Sequence, residues 1–342
     1  MERVSRSMEE KRRLRVAQIG AAHLHAGAAL STVRRHPELF ELVGYGVPEE
    51  EKNTPFYEMS KKYETHTPEE ILALPDLDGV FIEVSEKNLT KYALLAAKRN
   101  LNVYMDKPGG IGLNDFEELI QRVKKTGKVL HLGYMYRYNP AVKDLLEKIE
   151  KGELGEIYSV EGQMSCHTTS AFREFLKDYP GGMMFQLGCH LVDLILQIQG
   201  VPEEVIPVNA KTGLEGKDCT DLGFAALRYK NGTSFVKTSA VERGGFLRRQ
   251  LVVCGSKGTV ELRPLEKDAT DTHNDAKLCT DIYETYSDEW AALPEKTTTD
   301  IYNRYDDMIL SFARVLRGEE ENRYTPDYEL SLYKTLMKCC GE

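Results

Sequence analysis

The sequence of 342 residues lacks the features that mark several specialised classes of protein. No long apolar run is present, so we predict neither a membrane-spanning helix nor a membrane partner. Lys and Arg form no extended block and the net charge is −9, which argues against a nucleic-acid partner. The polar, Arg-rich residues 1–13 have no apolar stretch behind them, so they are predicted to form a flexible leader rather than a secretory signal.

Cysteine pairs of the CxxC type are also absent. The seven cysteines include no CxxC pair and their number is odd, which indicates a reduced, cytoplasmic protein. Two Cys-His dipeptides, Cys166-His167 and Cys189-His190, offer zinc-binding residue types. Adjacent residues of a strand point to opposite faces, however, and structural zinc sites use spaced pairs. We therefore predict no metal site.

The first part of the chain contains alternating strands and helices. From Leu14 to Leu132, apolar strands alternate with segments whose apolar residues recur at helical spacing, which is typical of an α/β domain with a mostly parallel sheet. After Pro140, strands separated by turn signals predict an α+β domain with a large, mostly antiparallel open sheet. These predictions include a hairpin turn at Lys230 to Gly232 and a strand from Leu247 to Val253. Because the chain exceeds one typical domain, we predict two domains, 1–138 and 139–342.

The turn after the first strand suits a dinucleotide. The strand Leu14 to Gly20 and the helix Ala26 to Arg35 enclose a turn in which Gly20 takes the first glycine position of the nucleotide-binding motif. Ala22 stands at the second position and His25 at the third. Backbone N–H groups and a helix N-terminus at such a turn bind a pyrophosphate. An ordinary strand-to-helix turn is the alternative.

The tip of the second strand does not select between the two nicotinamide cofactors. An acidic residue there usually bonds the adenosine ribose of NAD. Here Val47 and Pro48 take that place. Glu49 and Glu50 follow, and they either substitute for the missing acid or are solvated loop acids, the interpretation that we favour. We therefore expect NAD or NADP, with a slight preference for NAD.

A charged pair stands where a buried strand is predicted to end. Leu101 to Met105 suits a strand, and Pro108 stops the ladder, so Asp106 and Lys107 fall at the edge where open parallel sheets bind ligands. An ammonium there can orient a hydroxyl and lower the cost of alkoxide character. A surface turn with a solvated lysine is the alternative.

A buried helix with polar residues on one side is predicted after a Gly-Gly turn. Apolar residues recur at helical spacing from Met184 to Ile198, and Gln186, His190 and Asp193 lie three or four residues apart. The histidine is either a hydrogen-bonded core residue or a catalytic base.

In this order the motifs resemble the Gfo/Idh/MocA family of glucose-fructose oxidoreductases and inositol dehydrogenases. The resemblance runs from about Arg15 to the C-terminal helix. It rests on Asp106-Lys107-Pro108, which corresponds to the family's Glu-Lys-Pro, and on residues 133–140, 155–157, 181–193 and 255–259.

The resemblance implies a two-domain oxidoreductase. The first domain would be a Rossmann domain, and the second would bind the substrate and form a homo-oligomer, a dimer or tetramer, through its sheet. The implied reaction transfers a hydride between a nicotinamide and a carbon of a sugar, inositol or related polyol or glycoside. The implied partner is thus a small-molecule sugar or polyol.

The resemblance also implies site residues. Lys107 and His190 would face the reacting carbon, with His190 as general base and Lys107 orienting the hydroxyl. Gln186 replaces the family's aspartate and is predicted to bind a neighbouring hydroxyl, because an amide cannot take a proton. His167, Tyr136 and Arg137 are further predicted substrate contacts, although interface packing and pairing would equally explain the last two. The predicted cofactor contacts are Gly20, Ala22, His23, Leu24, Val84, Ser85, Glu86, Asp106 and Lys107.

Two other functions stay open at this point. A redox-neutral enzyme would oxidise a sugar transiently beside a glycosidic carbon, allow elimination and return the hydride from tightly bound NAD. A non-catalytic sensor would bind a nucleotide or sugar in the same cleft. Such a sensor has no chemical need for both Lys107 and His190.

Overall fold

The computed structural model of the protein describes residues 12–52, 57, 63–269 and 277–342. Residues 1–11 of the predicted leader therefore lie outside the described part of the chain. The strands are β1 (Leu14–Ile19), β2 (Phe40–Gly46), β3 (Gly79–Ile82), β4 (Asn102–Met105), β5 (Leu130–Leu132), β6 (Ile157–Ser165), β7 (Glu204–Pro207), β8 (Leu222–Tyr229), β9 (Gly232–Ser239), β10 (Gln250–Gly255), β11 (Thr259–Leu262), β12 (Lys267–Asp268), β13 (Lys277–Cys279), β14 (Asp281–Thr285), β15 (Glu295–Thr298) and β16 (Tyr302–Asn303). The α-helices are α1 (Ala26–Arg35), α2 (Pro68–Leu72), α3 (Leu89–Lys98), α4 (Leu113–Thr126), α5 (Pro140–Glu150), α6 (Ser170–Leu176), α7 (Cys189–Gln199), α8 (Asp306–Leu316) and α9 (Pro326–Cys340).

The N-terminal domain is built on a five-stranded parallel sheet. Its strand order is β2-β1-β3-β4-β5. Every residue of β3 is buried, in keeping with a continuous apolar run covered on both faces. This sheet confirms the predicted α/β architecture. Its carboxyl edge brings together the turn after β1 and the loops after β3 and β4.

The second domain carries an eight-stranded sheet of order β15-β14-β11-β10-β6-β9-β8-β7. Neighbouring strands are antiparallel except for β6 and β9. Helix α7 packs on β6 at Gly162, where an added Cβ would lie 3.1 Å from the Cβ of Leu191. The absence of a side chain thus lets the helix approach the sheet. The predicted, mostly antiparallel second sheet is confirmed.

The last two helices return to the N-terminal domain. The ring of Phe312 on α8 packs edge to face on Phe81 of β3, with centroids 5.5 Å apart. The ring of Tyr333 on α9 lies 4.7 Å from that of Phe116 on α4. The chain therefore completes the second sheet and then closes the core of the first. The predicted domain boundary after residue 138 stays a prediction.

Two predicted elements differ locally from the structure. The strand predicted from Leu247 begins only at Gln250, because Gly245–Arg248 forms a 3-10 turn. The helix predicted after the Gly-Gly turn opens with one π-helical turn, Met184–Gly188, before α7 begins. Such π turns are frequent at functional sites. In the described part of the chain, no helix has the length and apolar character needed to cross a membrane.

Candidate active site

Lys107 lies between the two domains at the carboxyl edge of the first sheet. It follows Asp106 directly after β4, and its side chain is almost fully buried. Its Nζ donates a hydrogen bond to the backbone carbonyl oxygen of Gln186 at 3.1 Å. The ammonium is therefore held against the π-helical turn of the second domain rather than solvated at a surface turn.

His190 lies in the first turn of α7 and faces the same region. It is buried, and the rings of Tyr134 and Tyr136 approach it edge-on with centroids 5.7 and 5.0 Å away. Its Nδ1 has no hydrogen-bond partner among the described residues. Burial, with a smaller contribution from Lys107, holds the pKa of His190 well below its ordinary value. The ring is thus a neutral imidazole that can accept a proton.

A cavity of about 260 Å³ between the domains brings these groups together. Its lining residues are Leu24, His25, Lys107, Met135, Tyr136, Cys166, Thr168, Phe172, Met183, Gln186, Leu187, His190, Arg249 and Arg304. The buried Nε2 of Gln186 has no partner within the described part of the chain, so it can donate to a ligand. The arrangement presents an ammonium, an imidazole and an amide to one small space.

Positive charge exceeds negative charge around this cavity. Its lining includes the cations Lys107, Arg249 and Arg304, and none of its lining residues is acidic. Behind the two arginines lies Glu266, one of whose oxygens is 2.6 Å from Nη1 of Arg249 and 2.8 Å from Nη2 of Arg304. The hydroxyl of Tyr136 donates to that same oxygen at 2.6 Å. Glu266 thus pairs with two arginines and a tyrosine hydroxyl, and no carboxylate is paired with the third cation of the lining, Lys107, in the described part of the chain.

Arg137 was predicted to contact the substrate, and the structure places it elsewhere. Its guanidinium donates to Asp193 at 2.8–3.1 Å and to Glu329 at 2.6 and 3.0 Å. All three side chains are about 99% buried or more, and Arg137 is not among the cavity-lining residues. The structure shows the pairing at the domain interface that the sequence left open. Two buried carboxylates, from α7 and α9, accept five hydrogen bonds from the Arg137 guanidinium.

His167 also lies outside the cavity, although its two neighbours line it. It pairs as an isolated bridge with Val241 and is exposed. Cys166 and Thr168 face the cavity, and alternation along an extended segment turns the residue between them to the other side. The predicted contact between His167 and the substrate therefore has no geometric support, whereas Tyr136 does line the cavity.

The turn after β1 has the close approach and the donors of an anion-binding turn. Gly20 adopts φ +98°, and a Cβ there would lie 2.5 Å from the backbone nitrogen of Val84. Glycine is therefore required where the turn meets the loop after β3. The backbone N–H groups of Ala21, Ala22 and Ser85 all point into the space between them.

These three N–H groups already bind a carboxylate. One oxygen of Glu51 accepts from Ala21 at 2.9 Å and from Ala22 at 3.2 Å, and the other accepts from Ser85 at 2.9 Å. Burial raises the pKa of Glu51, and the three N–H donors oppose that rise. The donor set fits a pyrophosphate, because it already holds an anion, but the pyrophosphate and the Glu51 carboxylate cannot occupy it together.

The other predicted cofactor contacts surround this turn. Val84 is fully buried, and Leu24 is 58% exposed at the mouth of the cavity. Glu86 is buried and accepts a hydrogen bond from the hydroxyl of Tyr179 at 3.1 Å. His23 and Asp106 are buried side by side, with His23 Nδ1 3.2 Å from an oxygen of Asp106. The predicted positions therefore lie around the carboxyl edge of the first sheet, and of these Leu24 and Lys107 also line the cavity.

Sequence reasoning missed three residues at this site. Glu51 was passed over for Glu49 and Glu50, although a third consecutive acid was visible. Arg249 and Arg304 lie in loops far along the chain, and nothing in their local sequence indicated a cavity. Tertiary folding alone brings them to Lys107.

The chain belongs to the Gfo/Idh/MocA family. A family model described as an oxidoreductase family with an NAD-binding Rossmann fold matches residues 14–134, and the model of the family's C-terminal domain matches residues 142–261.

Curated relatives are distant in sequence. The chain is 26% identical over 133 residues to scyllo-inositol 2-dehydrogenase (NAD(+)) of Bacillus subtilis, a match that covers 39% of this chain and 38% of the relative. It is 25% identical over 199 residues to myo-inositol 2-dehydrogenase of Thermotoga maritima, covering 56% and 58%. These matches thus span about four to six tenths of the relatives' length.

Solved structures match over nearly the whole chain. The aldose-aldose oxidoreductase of Caulobacter crescentus, complexed with glycerol, has a TM-score of 0.76 at 18% identity and is covered to 96%, as is this chain. A 3-ketoreductase of Actinomadura kijaniata, in complex with NADP and TDP-benzene, gives 0.76 at 16% identity with the same coverage. At these identities the likeness establishes the shared fold.

Proposed function

We propose that this protein is an NAD(P)-dependent oxidoreductase that acts on a CH–OH group of a sugar, inositol or related polyol or glycoside. The observation that carries the proposal is the cavity between the domains, lined by Lys107 from one domain and by His190 and Gln186 from the other. An ammonium and a neutral imidazole facing one space suit proton removal from a hydroxyl. The homo-oligomer and the cytoplasmic location stay part of this proposal.

In the proposed mechanism His190 is the general base. Its ring is neutral because burial and the neighbouring Lys107 disfavour the charged form. It takes the hydroxyl proton, and Lys107 orients the same oxygen and stabilises its developing negative charge. Gln186 donates its unpartnered Nε2 hydrogens to a neighbouring hydroxyl. The two edge-on tyrosines, Tyr134 and Tyr136, fix the imidazole ring.

The cofactor would be held by the turn after β1 and the loop after β3. Its pyrophosphate would accept from the N–H groups of Ala21, Ala22 and Ser85 once Glu51 has moved away. When bound, a nicotinamide supplies the hydride acceptor or donor.

The histidine variant tests this assignment. His190→Ala should lower kcat by about 10²- to 10⁴-fold, because a general base contributes roughly that factor, while cofactor affinity is retained. His36→Ala is the control, since His36 lies at the end of α1 beside Glu38 and away from the cavity. Near-normal turnover in His190→Ala would contradict the role of His190.

A sensor without catalysis is the second candidate, and one observation favours it. The Glu51 carboxylate occupies the N–H groups that a pyrophosphate would need. A sensor would bind a sugar or nucleotide without any change in the nicotinamide, whereas the enzyme would reduce bound NAD(P) when its polyol is added. The redox-neutral enzyme would reduce it only transiently, so rapid recording of the bound cofactor separates all three functions.

A further inference from the structure

Three potential metal ligands converge beside Lys107. His23 and His25 come from the turn after β1, and Asp106 follows β4. One oxygen of Asp106 lies 3.2 Å from Nδ1 of His23 and 3.2 Å from Nδ1 of His25. The three ligand atoms all lie within 4.8 Å of one another. Ligands about 2.0–2.2 Å from a tetrahedral metal are about 3.4 Å apart, so an ion fits between these atoms with small side-chain shifts.

The hydrogen bonds of His23 orient its ring so that Nδ1 faces Asp106. Its Nε2 lies 3.2 Å from the backbone carbonyl oxygen of Lys107, so this nitrogen carries the hydrogen and donates. Its Nδ1 accepts from the backbone N–H of His25 at 3.2 Å. The Asp106 carboxylate beside Nδ1 raises the pKa of His23, so this pair attracts a cation, whether a proton or a metal ion. A donation from the outer ring nitrogen to a backbone carbonyl is the usual support of a metal-binding histidine.

A second carboxylate is buried at the same place. Glu83 is fully buried, and neither of its oxygens has a hydrogen-bond partner in the described part of the chain. One of these oxygens lies 3.9 Å from Nδ1 of His23. Burial and the neighbouring Asp106 raise the pKa of Glu83 well above its ordinary value, and a cation between the imidazoles and the two acids would offset that cost of ionising Glu83. Glu83 thus points to a ligand independently of the triad.

We propose that His23, His25 and Asp106 bind one divalent transition-metal ion, with Glu83 completing the site. Two imidazoles and two carboxylates suit Zn²⁺, Fe²⁺ or Mn²⁺, whereas Ca²⁺ and Mg²⁺ prefer oxygen ligands alone. His25 also lines the cavity between the domains, which gives the ion a route from solvent. The proposal does not rest on the proposed oxidoreductase function, because every distance that supports it joins two side chains of this protein and involves no cofactor or substrate.

Metal titration of the full chain tests the proposal. The protein would be stripped with a chelator, and Zn²⁺ and Co²⁺ would then be added separately while calorimetry and the visible ligand-field bands of Co²⁺ are recorded. We expect one ion per chain and a Co²⁺ spectrum of low coordination number. His25→Ala and Glu83→Gln should each weaken binding at least tenfold. His167→Ala is the matched control, because His167 is an exposed histidine outside the cluster.

Two results would overturn the metal site. The first is the absence of stoichiometric binding to the stripped wild-type chain, which would mean that protons alone hold the cluster. The second is equal binding by wild type and His25→Ala, which would place the ion elsewhere. Circular dichroism of both variants ensures that weaker binding is not read from an unfolded protein. Because the readout is metal content, its failure leaves the proposed oxidoreductase activity untouched.

Discussion

Arg137 provides a strong test of how the two domains are joined. Its guanidinium makes five hydrogen bonds, three to Asp193 on α7 and two to Glu329 on α9. In Arg137→Met both carboxylates would stay buried without their cation. Breaking a buried ion pair by removing one partner costs roughly 3–5 kcal/mol. For a chain of this size we expect the midpoint of thermal unfolding to fall by roughly 4–7 °C.

The pH dependence of this loss has a defined sign. Burial raises the pKa of Glu329 even with Arg137 present, and loss of the cation should raise it further. A carboxyl whose folded pKa lies above its unfolded value stabilises the fold at low pH and loses that contribution as pH rises. The deficit of Arg137→Met should therefore be larger at neutral pH than in mild acid. Differential scanning calorimetry across that pH range measures it.

An exposed ion pair supplies the control. Arg323 pairs with Glu150 at 2.7 Å, and both side chains are more than 60% exposed. Arg323→Met should cost no more than about 1 kcal/mol, because exposed pairs contribute little. If Arg137→Met unfolded like wild type but raised KM for the substrate, Arg137 would be a substrate contact, and its role in joining the domains would be refuted.

Three further predictions concern the cleft. Lys107→Met should raise the pKa of His190 toward its ordinary value, because the Lys107 ammonium lowers that pKa in the wild-type protein. The acid limb of the pH profile of kcat/KM should therefore move to higher pH. If the variant has no turnover, NMR titration of the imidazole ring should show the same shift. Glu51→Ala should bind NAD or NADP about tenfold more tightly in calorimetry, because three N–H groups lose the competing carboxylate. Sugar acids should show a lower KM than the matching neutral sugars, because the cavity lining holds Lys107, Arg249 and Arg304 and no acidic residue. Arg304→Gln should raise KM for the acids alone.

Each of these predictions has a contrary outcome. An unmoved titration of His190 in Lys107→Met would show that burial alone sets its pKa. Other charged or titratable groups also face the His190 ring and would still act on its pKa in this variant, namely His25, Asp106, Arg249, Tyr134 and Tyr136. Weaker dinucleotide binding by Glu51→Ala would make that carboxylate a support of the turn rather than a competitor. Equal KM values for acids and neutral sugars would leave Arg304 as a partner of Glu266 only.

The fold was predictable because its signals are local and repeated. The apolar run Val80-Phe81-Ile82 and the strand before Asp106 read as buried parallel strands, and both lie in the five-stranded sheet. The hairpin predicted at Lys230 to Gly232 joins β8 to β9. By contrast, the π-helical turn before α7 has no distinct residue pattern, so a regular helix was predicted there.

Residues whose environment depends on distant contacts were harder to predict. Arg137 was visible as a charge near the predicted site, but its partner Glu329 is 192 residues away, and only the return of α9 brings the two together. Glu51 follows two predicted loop acids, and nothing in the sequence distinguished it from them. The short 3-10 turn Glu49–Glu51 places its carboxylate beside the turn after β1. His167 was predicted to contact the substrate, but its neighbours Cys166 and Thr168 line the cavity instead, because alternate residues of an extended segment face opposite sides.

In the proposed reaction an ammonium and an imidazole from different domains act on one substrate carbon beside a nicotinamide. The most direct measurement mixes the protein with NAD or NADP and a panel of sugars, inositols, sugar acids and glycosides, and records the absorbance of reduced nicotinamide. We predict that at least one polyol reduces the bound cofactor and that His190→Ala slows this step by about a hundredfold or more. If the cofactor binds and no member of the panel reduces it even transiently, the protein does not carry out the proposed reaction.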